Sequence, residues 1–487
     1  MIGMNKNSIM KISFYNTLTK KIEEFKPIKE GHVNLYTCGP TVYNFAHIGN
    51  LRSYCAEDLL KRTLTYFGYK VKHVMNITDV EDKIIKGCIK EKKTAKDFTT
   101  PYINAFMEDI TSMNMIKADI YPKASEHIDE IVKIIKVLLA KGIAYKGEDG
   151  SYYFSIEKFP KYGQLINLER DEMKIGVRIN NDEYGKDRAC DFALWKAWDE
   201  KDGDVFWETE LGKGRPGWHI ECTAMSLKYL GDTFDIHMGG VDNIFPHHEN
   251  EIAQSEAYTD KKFVNYWIHC EHLLSEGQKM SKSLGNFYTL RDLSHGKNQV
   301  GKKFSPEALR YFYISNHYRA KLNFTLAGLE SAEKTLEGLR SFVKRMRNVD
   351  LEKSENDEEV MVKIEETKSK FEEKIAEDLN TPQAIATIFT MINKVNTLDS
   401  HGQISKKVAQ KIIDFLKKID EILGVNIVIE NEETEILPEE IEKLIEERQQ
   451  ARKAKNFVRA DEIRNILANK GIILQDTPKG VSWSIKK

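Results

Sequence analysis

The sequence predicts an α/β chain: a Rossmann-like domain with an inserted connective segment, then a helical bundle, then a small basic C-terminal domain. Three observations predict it. Residues 33–76 read as strand, loop, helix and strand. Beyond about residue 325 the chain turns highly charged, glycine-poor and helically periodic, as in KKVAQKIIDFLKKIDEIL. The segment 441–487 holds eleven Lys and Arg against six Asp and Glu. A length of 487 residues fits three or four domains.

Val33 to Thr37 is a short apolar strand that ends in the turn Cys38-Gly39-Pro40-Thr41. Asn50 suits a helix N-cap. Leu51, Tyr54, Cys55, Leu59 and Phe67 recur near helical spacing, and Gly68 stops the helix. Lys70 to Ile77 is a second strand, completing a βαβ unit of a nucleotide-binding parallel sheet. Residues 125–143 predict an amphipathic helix with Ile128, Ile131, Ile134, Ile135, Leu138 and Leu139 inward. The turn-rich stretch from about 145 to 205 is expected as an insertion between two halves of the sheet, the second half running from about 205 to 275. A Lys-rich loop and its following segment (277–325) close a domain spanning 1–325. The bundle covers 326–428, and 429–487 combines an acidic linker with the small C-terminal domain.

Composition narrows the class. Apolar residues make up 41% and charged residues 30%, which describes a globular chain with a sizeable core. Net charge is −2, so any nucleic-acid contact must come from a local basic face. No apolar run approaches the ~20 residues of a membrane span. The N-terminus lacks the apolar stretch of a secretory signal, and its first arginine is Arg52, unlike an organelle transit peptide. A cytoplasmic chain without membrane partners is expected. Six cysteines at irregular spacing make no disulfide framework. Cys55, Cys88, Cys190 and Cys270 read as plain thiols.

His47-Ile48-Gly49-Asn50 lies in the loop opening the first helix, where the helix dipole and free N–H groups favour an anion. His47 can add a hydrogen bond to a phosphate, and Gly49 lets a flat ring lie against the backbone. Lys279-Met280-Ser281-Lys282-Ser283, between Gly277 and Gly285, puts two lysines on a glycine-flanked mobile loop. Lysines there can stabilise the charge that grows on a leaving pyrophosphate. Each string alone reads better as an ordinary loop. Six of the thirteen histidines fall within 219–272. Pro246 suits a first helical turn. His247 and Glu251 are then i,i+4 neighbours able to grip one metal ion. Cys222 and Cys38 would complete a ligand set suited to Zn²⁺. Spacing alone does not assemble four distant ligands, and scattered Cys and His also read as core residues.

In this order and about one domain apart, the two loops resemble the HIGH and KMSKS signatures of class I aminoacyl-tRNA synthetases. The second is matched in full. The first departs at its last position, where Asn50 stands for His, and Asn50 can still donate a hydrogen bond. Thr37-Cys38-Gly39-Pro40-Thr41-Val42-Tyr43, Asn76-Ile77-Thr78-Asp79, Gly214-Arg215-Pro216-Gly217-Trp218-His219-Ile220-Glu221-Cys222 and Phe245-Pro246-His247-His248-Glu249-Asn250-Glu251 resemble signature segments of cysteinyl-tRNA synthetases. The similarity extends over nearly the whole chain.

The resemblance implies one Zn²⁺ per chain on Cys38, Cys222, His247 and Glu251, with the substrate thiolate as a fifth ligand. It implies L-cysteine, ATP with Mg²⁺, and the tRNA for cysteine as partners, joined through a cysteinyl-adenylate. His47, Asn50, Lys279 and Lys282 are then the catalytic set, and Gly49 and Ser281 join them around ATP. Trp218 is expected to wall the amino-acid pocket. Thr78 and Asp242 are candidates for the substrate ammonium, although Asp242 could equally cap the turn after Gly239-Gly240. The insertion looks too small for an editing module. In the C-terminal segment Leu444, Ile445, Phe457, Ile463, Ile466 and Leu467 read as apolar anchors. Arg448, Arg452, Lys455, Arg459 and Trp483 read as RNA contacts, since phosphates need countercharge and bases stack on aromatics, although composition alone fits a solvated basic helix equally well. Nothing in the sequence demands a dimer, and a monomer is expected.

Overall fold

The computed structural model describes residues 10–166, 191–429, 439–454, 456–470, 472–477 and 480–485. It describes their side chains except at 282, 439, 440, 442, 473, 475–477 and 480–485. The chain divides into two compact units, residues 1–428 and 429–487.

In the first unit a hairpin, β1 (Ser13–Asn16) and β2 (Lys21–Glu24), precedes the βαβ unit. That unit is β3 (His32–Thr37), α1 (Ile48–Tyr66) and β4 (Lys70–Met75). After α2 (Asp82–Glu91), α3 (Ala95–Ser112) and α4 (Ile128–Ala140) comes the inserted sheet. Its strands are β5 (Ala144–Lys146), β6 (Tyr152–Phe154), β7 (Phe192–Ala197), β8 (Trp207–Thr209) and β9 (Gly212–Pro216). They pair antiparallel in the order β5-β6-β7-β9-β8. The insertion therefore runs to Pro216, past the boundary near 205 expected from sequence. The hairpin β8–β9 reverses at Gly212, which takes φ +96, and its second strand pairs with β7 and not with the main sheet.

The main sheet resumes after α5 (Trp218–Leu230) with β10 (Phe234–Gly240), α6 (Glu249–Thr259) and β11 (Val264–Cys270). Its order is β11-β10-β3-β4, all parallel. The chain leaves β3 toward β4 but returns on the other side of β3 with β10, so a crevice opens at the carboxyl ends of β3 and β10. Open α/β sheets bind ligands at such a switch point. Cys38 and Gly240 mark those ends.

The helix α4 buries Ile128, Ile131, Ile134, Ile135 and Leu138 as the periodicity requires, with Val132 in addition and Leu139 only partly covered. The helix α1 begins three residues earlier than the Asn50 cap predicts. His47 is the N-cap: its Nδ1 accepts from the N–H groups of Gly49 and Asn50, and Asn50 Oδ1 accepts from His47 N–H. Two side chains that satisfy each other's orphan donors fix the start there. Most of α1 is buried, including Arg52, Glu57, Asp58, Lys61 and Arg62. It lies between the sheet, α8 (Pro306–Ile314) and the bundle.

Strands β12 (Leu273–Ser275) and β13 (Leu322–Phe324) flank α7 (Leu290–Ser294) and α8. The bundle is α9 (Leu326–Arg347), α10 (Asp357–Ala376), α11 (Thr381–Ser400) and α12 (Lys406–Leu423). Its core is continuous with that of β3 and α1: one apolar cluster runs from Ile12 to Ile427. The second unit pairs helices α13 (Glu439–Lys453) and α14 (Phe457–Asn469) with the hairpin β14 (Ile472–Thr477) and β15 (Gly480–Ile485).

Candidate active site and metal centre

A cleft of about 1530 Å³ opens over the carboxyl ends of β3 and β10. Cys38, Thr78, His47, Gly49, Asn50, Trp218, Cys222, Asp242, His247 and Lys279 all border it.

Cys38 follows β3 directly, Cys222 lies one turn into α5, and His247 and Glu251 sit where a helical turn (Ile244–His248) runs into α6. One ligand atom from each of the four lies within 4.8 Å of the others. His247 Nε2 approaches Glu251 Oε1 to 3.1 Å, yet that oxygen, fully buried, accepts no hydrogen bond. A bare carboxylate oxygen in a dry interior is costly, and a cation shared by the four groups would offset that cost. Two sulfurs, one imidazole and one carboxylate suit Zn²⁺. The hydrogen bond with Cys222 and burial push the Cys38 thiol well up, and burial raises the Glu251 carboxyl well above its usual range. Burial lowers His247, against the pull of Glu251.

Sequence reasoning did not place His219, His237 and His269 behind this cluster. His248, next to His247 in the chain, is buried, with Nε2 3.2 Å from Cys38 Sγ and Nδ1 2.8 Å from His269 Nε2. His269 Nδ1 is 2.7 Å from the Thr17 hydroxyl. His237 Nε2 lies 3.0 Å from Glu251 Oε2. Cys38, His237, His248 and Glu251 thus form a second, overlapping ligand-like group. His219 Nδ1 is 2.9 Å from His247 Nδ1, and Trp218 stacks on the His247 ring at 4.4 Å. A ligating imidazole whose other nitrogen is held by a neighbour has its tautomer and tilt fixed. Only the crowding of histidines in 219–272 hinted at this network.

The two signature loops touch. A side chain at Gly49 would meet Met280 Cε at 2.6 Å, so methionine fills the face expected to receive a flat ring. Ile48 N donates to Tyr288 O at 3.0 Å. The lysine loop, expected to be mobile, is pinned at its base by the buried Asn286. That side chain accepts from Ser281 N and donates to the carbonyls of Ser275 and Lys279. Gly277 and Gly285 take φ +76 and +66, conformations that suit glycine. Lys279 is exposed at the cleft rim, and the Ser281 hydroxyl is 2.6 Å from that of Ser283. The Lys282 side chain lies outside the described residues. His47 keeps Nε2 free of the cap, and burial lowers its pKa.

Thr78 is buried, and its hydroxyl accepts from Asn76 Nδ2 at 3.0 Å. Asp242 is exposed, 3.4 Å from His272 Nδ1, and its side chain caps no turn among the described residues. Glu57, on the same side of α1 as Asn50, also borders the cleft. It is buried, and the Thr37 side chain is the one group that favours its charged form. Desolvation raises its pKa well above the usual range. Cys55, Cys88 and Cys270 are buried free thiols, and Cys190 lies outside the described residues.

In the second unit, Ile441, Ile445, Ile463, Leu467, Ile472 and Leu474 form the core. Arg448 lies three and seven residues after Ile445 and Ile441, so it shares their inward face and is buried, in contrast to the expected RNA contact. Arg459 pairs with Glu447 at 2.8 Å and Glu462 at 3.0 Å. Arg452 is exposed. Phe457, expected as an anchor, is 59% exposed, because α14 starts there and turns its first residue outward. Lys455 and the Trp483 side chain lie outside the described residues. Among the described residues no helix is long and apolar enough to cross a membrane.

Three family models match the chain. They are the class I (C) tRNA synthetase catalytic domain over residues 24–334, a DALR domain over 370–427, and a cysteinyl-tRNA ligase anticodon binding domain over 434–483. The chain is 46% identical over 482 residues to the cysteine–tRNA ligase of Protochlamydia amoebophila, covering 98% of this chain and 99% of that protein. It is 48% identical over 483 residues to that of Brachyspira hyodysenteriae, with the same coverage. Its fold is similar to Mycobacterium tuberculosis methionyl-tRNA synthetase in complex with methionyl-adenylate. The TM-score is 0.59 at 12% identity, over 81% of this chain and 92% of that one.

Proposed function

The chain belongs to the cysteine–tRNA ligase family of class I aminoacyl-tRNA synthetases, and we propose that it activates L-cysteine with ATP as cysteinyl-adenylate and selects cysteine through a metal-held thiolate. The observation that carries this reading is that Cys38, Cys222 and His247, which line the cleft that both signature loops border, converge on the buried Glu251.

The competitor to exclude is serine. An apolar pocket rejects a near-isostere by only about 10²-fold. Zn²⁺ on the four ligands would supply a soft centre that takes a thiolate and passes over a hydroxyl. The protein's part is to hold that centre in one geometry. With His247 Nε2 turned to the ligand cluster, its Nδ1–H donates to His219. A thiolate at Cys38 takes a proton-bearing His248 Nε2, so His248 Nδ1 accepts from His269, and His269 Nδ1 accepts from the Thr17 hydroxyl. The chain has one consistent direction of donation from Thr17 to Cys38.

The cysteine carboxylate attacks the α-phosphorus of ATP and pyrophosphate leaves. The 3′-terminal ribose hydroxyl of the tRNA then attacks the acyl carbon and AMP leaves. His47 accepts two N–H bonds at Nδ1, so its neutral ring carries the proton on Nε2, ready for a phosphate oxygen. Asn50 Oδ1 is engaged by the His47 N–H, which leaves its amide NH₂ as the donor. Lys279, with Lys282, meets the charge on the leaving pyrophosphate. No side chain acts as a nucleophile, and positioning supplies much of the acceleration. Catalysis is assigned to 1–325, support of the tRNA to 326–428 and anticodon contact to 429–487. In that last unit the exposed Phe457 and Arg452 replace Arg448 as the contacts of choice.

ATP–pyrophosphate exchange on metal-quantified protein tests the reading. Exchange should follow cysteine and not serine, and Cys222→Ser should lose both the metal and that selectivity. Exchange with serine at a rate near that with cysteine would remove the metal-thiolate account.

A further inference from the structure

The helix α2 borders the cleft at its N-terminal end, through Asp82 and Lys83, and then leads away from it. Its buried face is Ile84, Ile85 and Cys88. The opposite face is lysine. Lys83, Lys86 and Lys90 follow at intervals of three and four residues, which keeps them within about 60° of one another around the axis and spreads them over about 10 Å. Lys92, Lys93 and Lys96 extend the patch into the turn before α3 and its first residues. All six are exposed.

Little within the protein neutralises this charge. Between residues 83 and 96 the one acid is Glu91, paired with Lys93 at 2.9 Å. Asp82, at the cleft end, is held by Arg215 and Lys196, and Asp97 is engaged by the Thr94 cap. Lys83 Nζ lies 4.9 Å from the centre of the Tyr43 ring, itself on the cleft border. Lys86, Lys90, Lys92 and Lys96 have no ion-pair partner among the described residues. A chain of net charge −2 therefore concentrates a cationic stripe, with one of its six lysines ion-paired, at the mouth of its cleft.

We propose that the lysine stripe of α2 carries the sugar–phosphate backbone of the tRNA acceptor strand as its 3′ end enters the cleft; this rests on the tRNA-charging reading above. The 3′ ribose must reach the cleft interior, so the strand behind it must cross the rim. A stripe that begins at the rim with regularly spaced cations and no aromatic side chain on its exposed face holds phosphates without reading bases. Such contacts release counterions, and affinity falls with salt in proportion to their number.

The test compares unmodified protein with the triple variants Lys86→Gln, Lys90→Gln, Lys93→Gln and Lys86→Arg, Lys90→Arg, Lys93→Arg. None of the three residues borders the cleft. ATP–pyrophosphate exchange, which needs no tRNA, should be unchanged in both and reports an intact active site. In charging assays with a tRNA transcript, the Gln variant should raise the KM for tRNA on the order of 10-fold and lower its log–log salt slope by about 2. The Arg variant should behave as unmodified protein. Unchanged KM and salt slope in the Gln variant would overturn the proposal, as would equal losses in the Gln and Arg variants. Absence of cysteine-dependent exchange in unmodified protein would instead overturn the reading beneath it.

Discussion

Replacing Asp58 by Asn should destabilise the catalytic unit while leaving its surface and cleft residues in place. Asp58, on α1, is 3% exposed. Its Oδ2 lies 2.8 Å from Arg62 Nε and 2.6 Å from Arg310 Nη2, and its Oδ1 accepts from Ile116 N at 2.7 Å. Arg310 is fully buried and also donates to Leu423 O at 2.6 Å, at the end of the bundle's last helix. Asn preserves shape and the Ile116 bond but removes the anion, stranding two guanidinium groups in the interior. Breaking a buried pair by removing one partner costs about 3–5 kcal/mol. Against a total stability of about 5–15 kcal/mol this is a large fraction. Thermal melting should show a Tm lower by roughly 5–10 °C. Lys374→Ala, which breaks the exposed pairs of Lys374 with Glu373 and Glu377, should barely move Tm, since exposed pairs contribute little. A Tm for Asp58→Asn within about 2 °C of unmodified protein would refute the reasoning.

The remaining predictions concern the site and the pH response. Lys279→Ala should lower the exchange rate about 10²–10³-fold with little change in the KM for cysteine, because its charge acts on the departing pyrophosphate; a loss confined to KM would contradict this. His248→Gln should weaken metal affinity about 10–100-fold, read by competition with a chelator, because it removes the imidazole beside Cys38; unchanged affinity would contradict it. Burial raises Asp109 from 3.8 to about 6, against the lowering pull of Arg291. A carboxyl whose folded pKa is raised stabilises the fold below its unfolded pKa and loses that contribution as pH rises through 6. Asp109→Asn should therefore match unmodified protein below pH 4 and be more stable at pH 8 by up to about 3 kcal/mol, seen as a pH-dependent Tm difference; an equal difference at both pH values would contradict it.

Local pattern made the βαβ unit, α4 and the bundle legible, because each depends on periodicity and stop signals within its own segment. The start of α1 was misread, because Asn50 looks like a cap and is instead the partner of the cap His47. The end of the insertion was misread, because nothing local tells whether Gly212–Pro216 pairs with β7 or with the main sheet. Cys38, Cys222, His247 and Glu251 were reached through the resemblance of their flanking segments. The supporting histidines were not, since His237 and His269 sit inside apolar strands, where sequence reads them as core. Arg448 is buried and Phe457 exposed, the reverse of the expectation, for a similar reason. Composition counts charge and aromatics, but helix phase and helix ends decide which face water.

X-ray absorption at the zinc edge, on protein loaded with one metal ion per chain, tests the central claim most directly. Before substrate the sulfur shell should hold two atoms, Cys38 and Cys222. L-cysteine should raise it to three, and L-serine at saturating concentration should leave it at two. A shell that stays at two under cysteine, in protein that still exchanges pyrophosphate, would contradict selection through the thiolate.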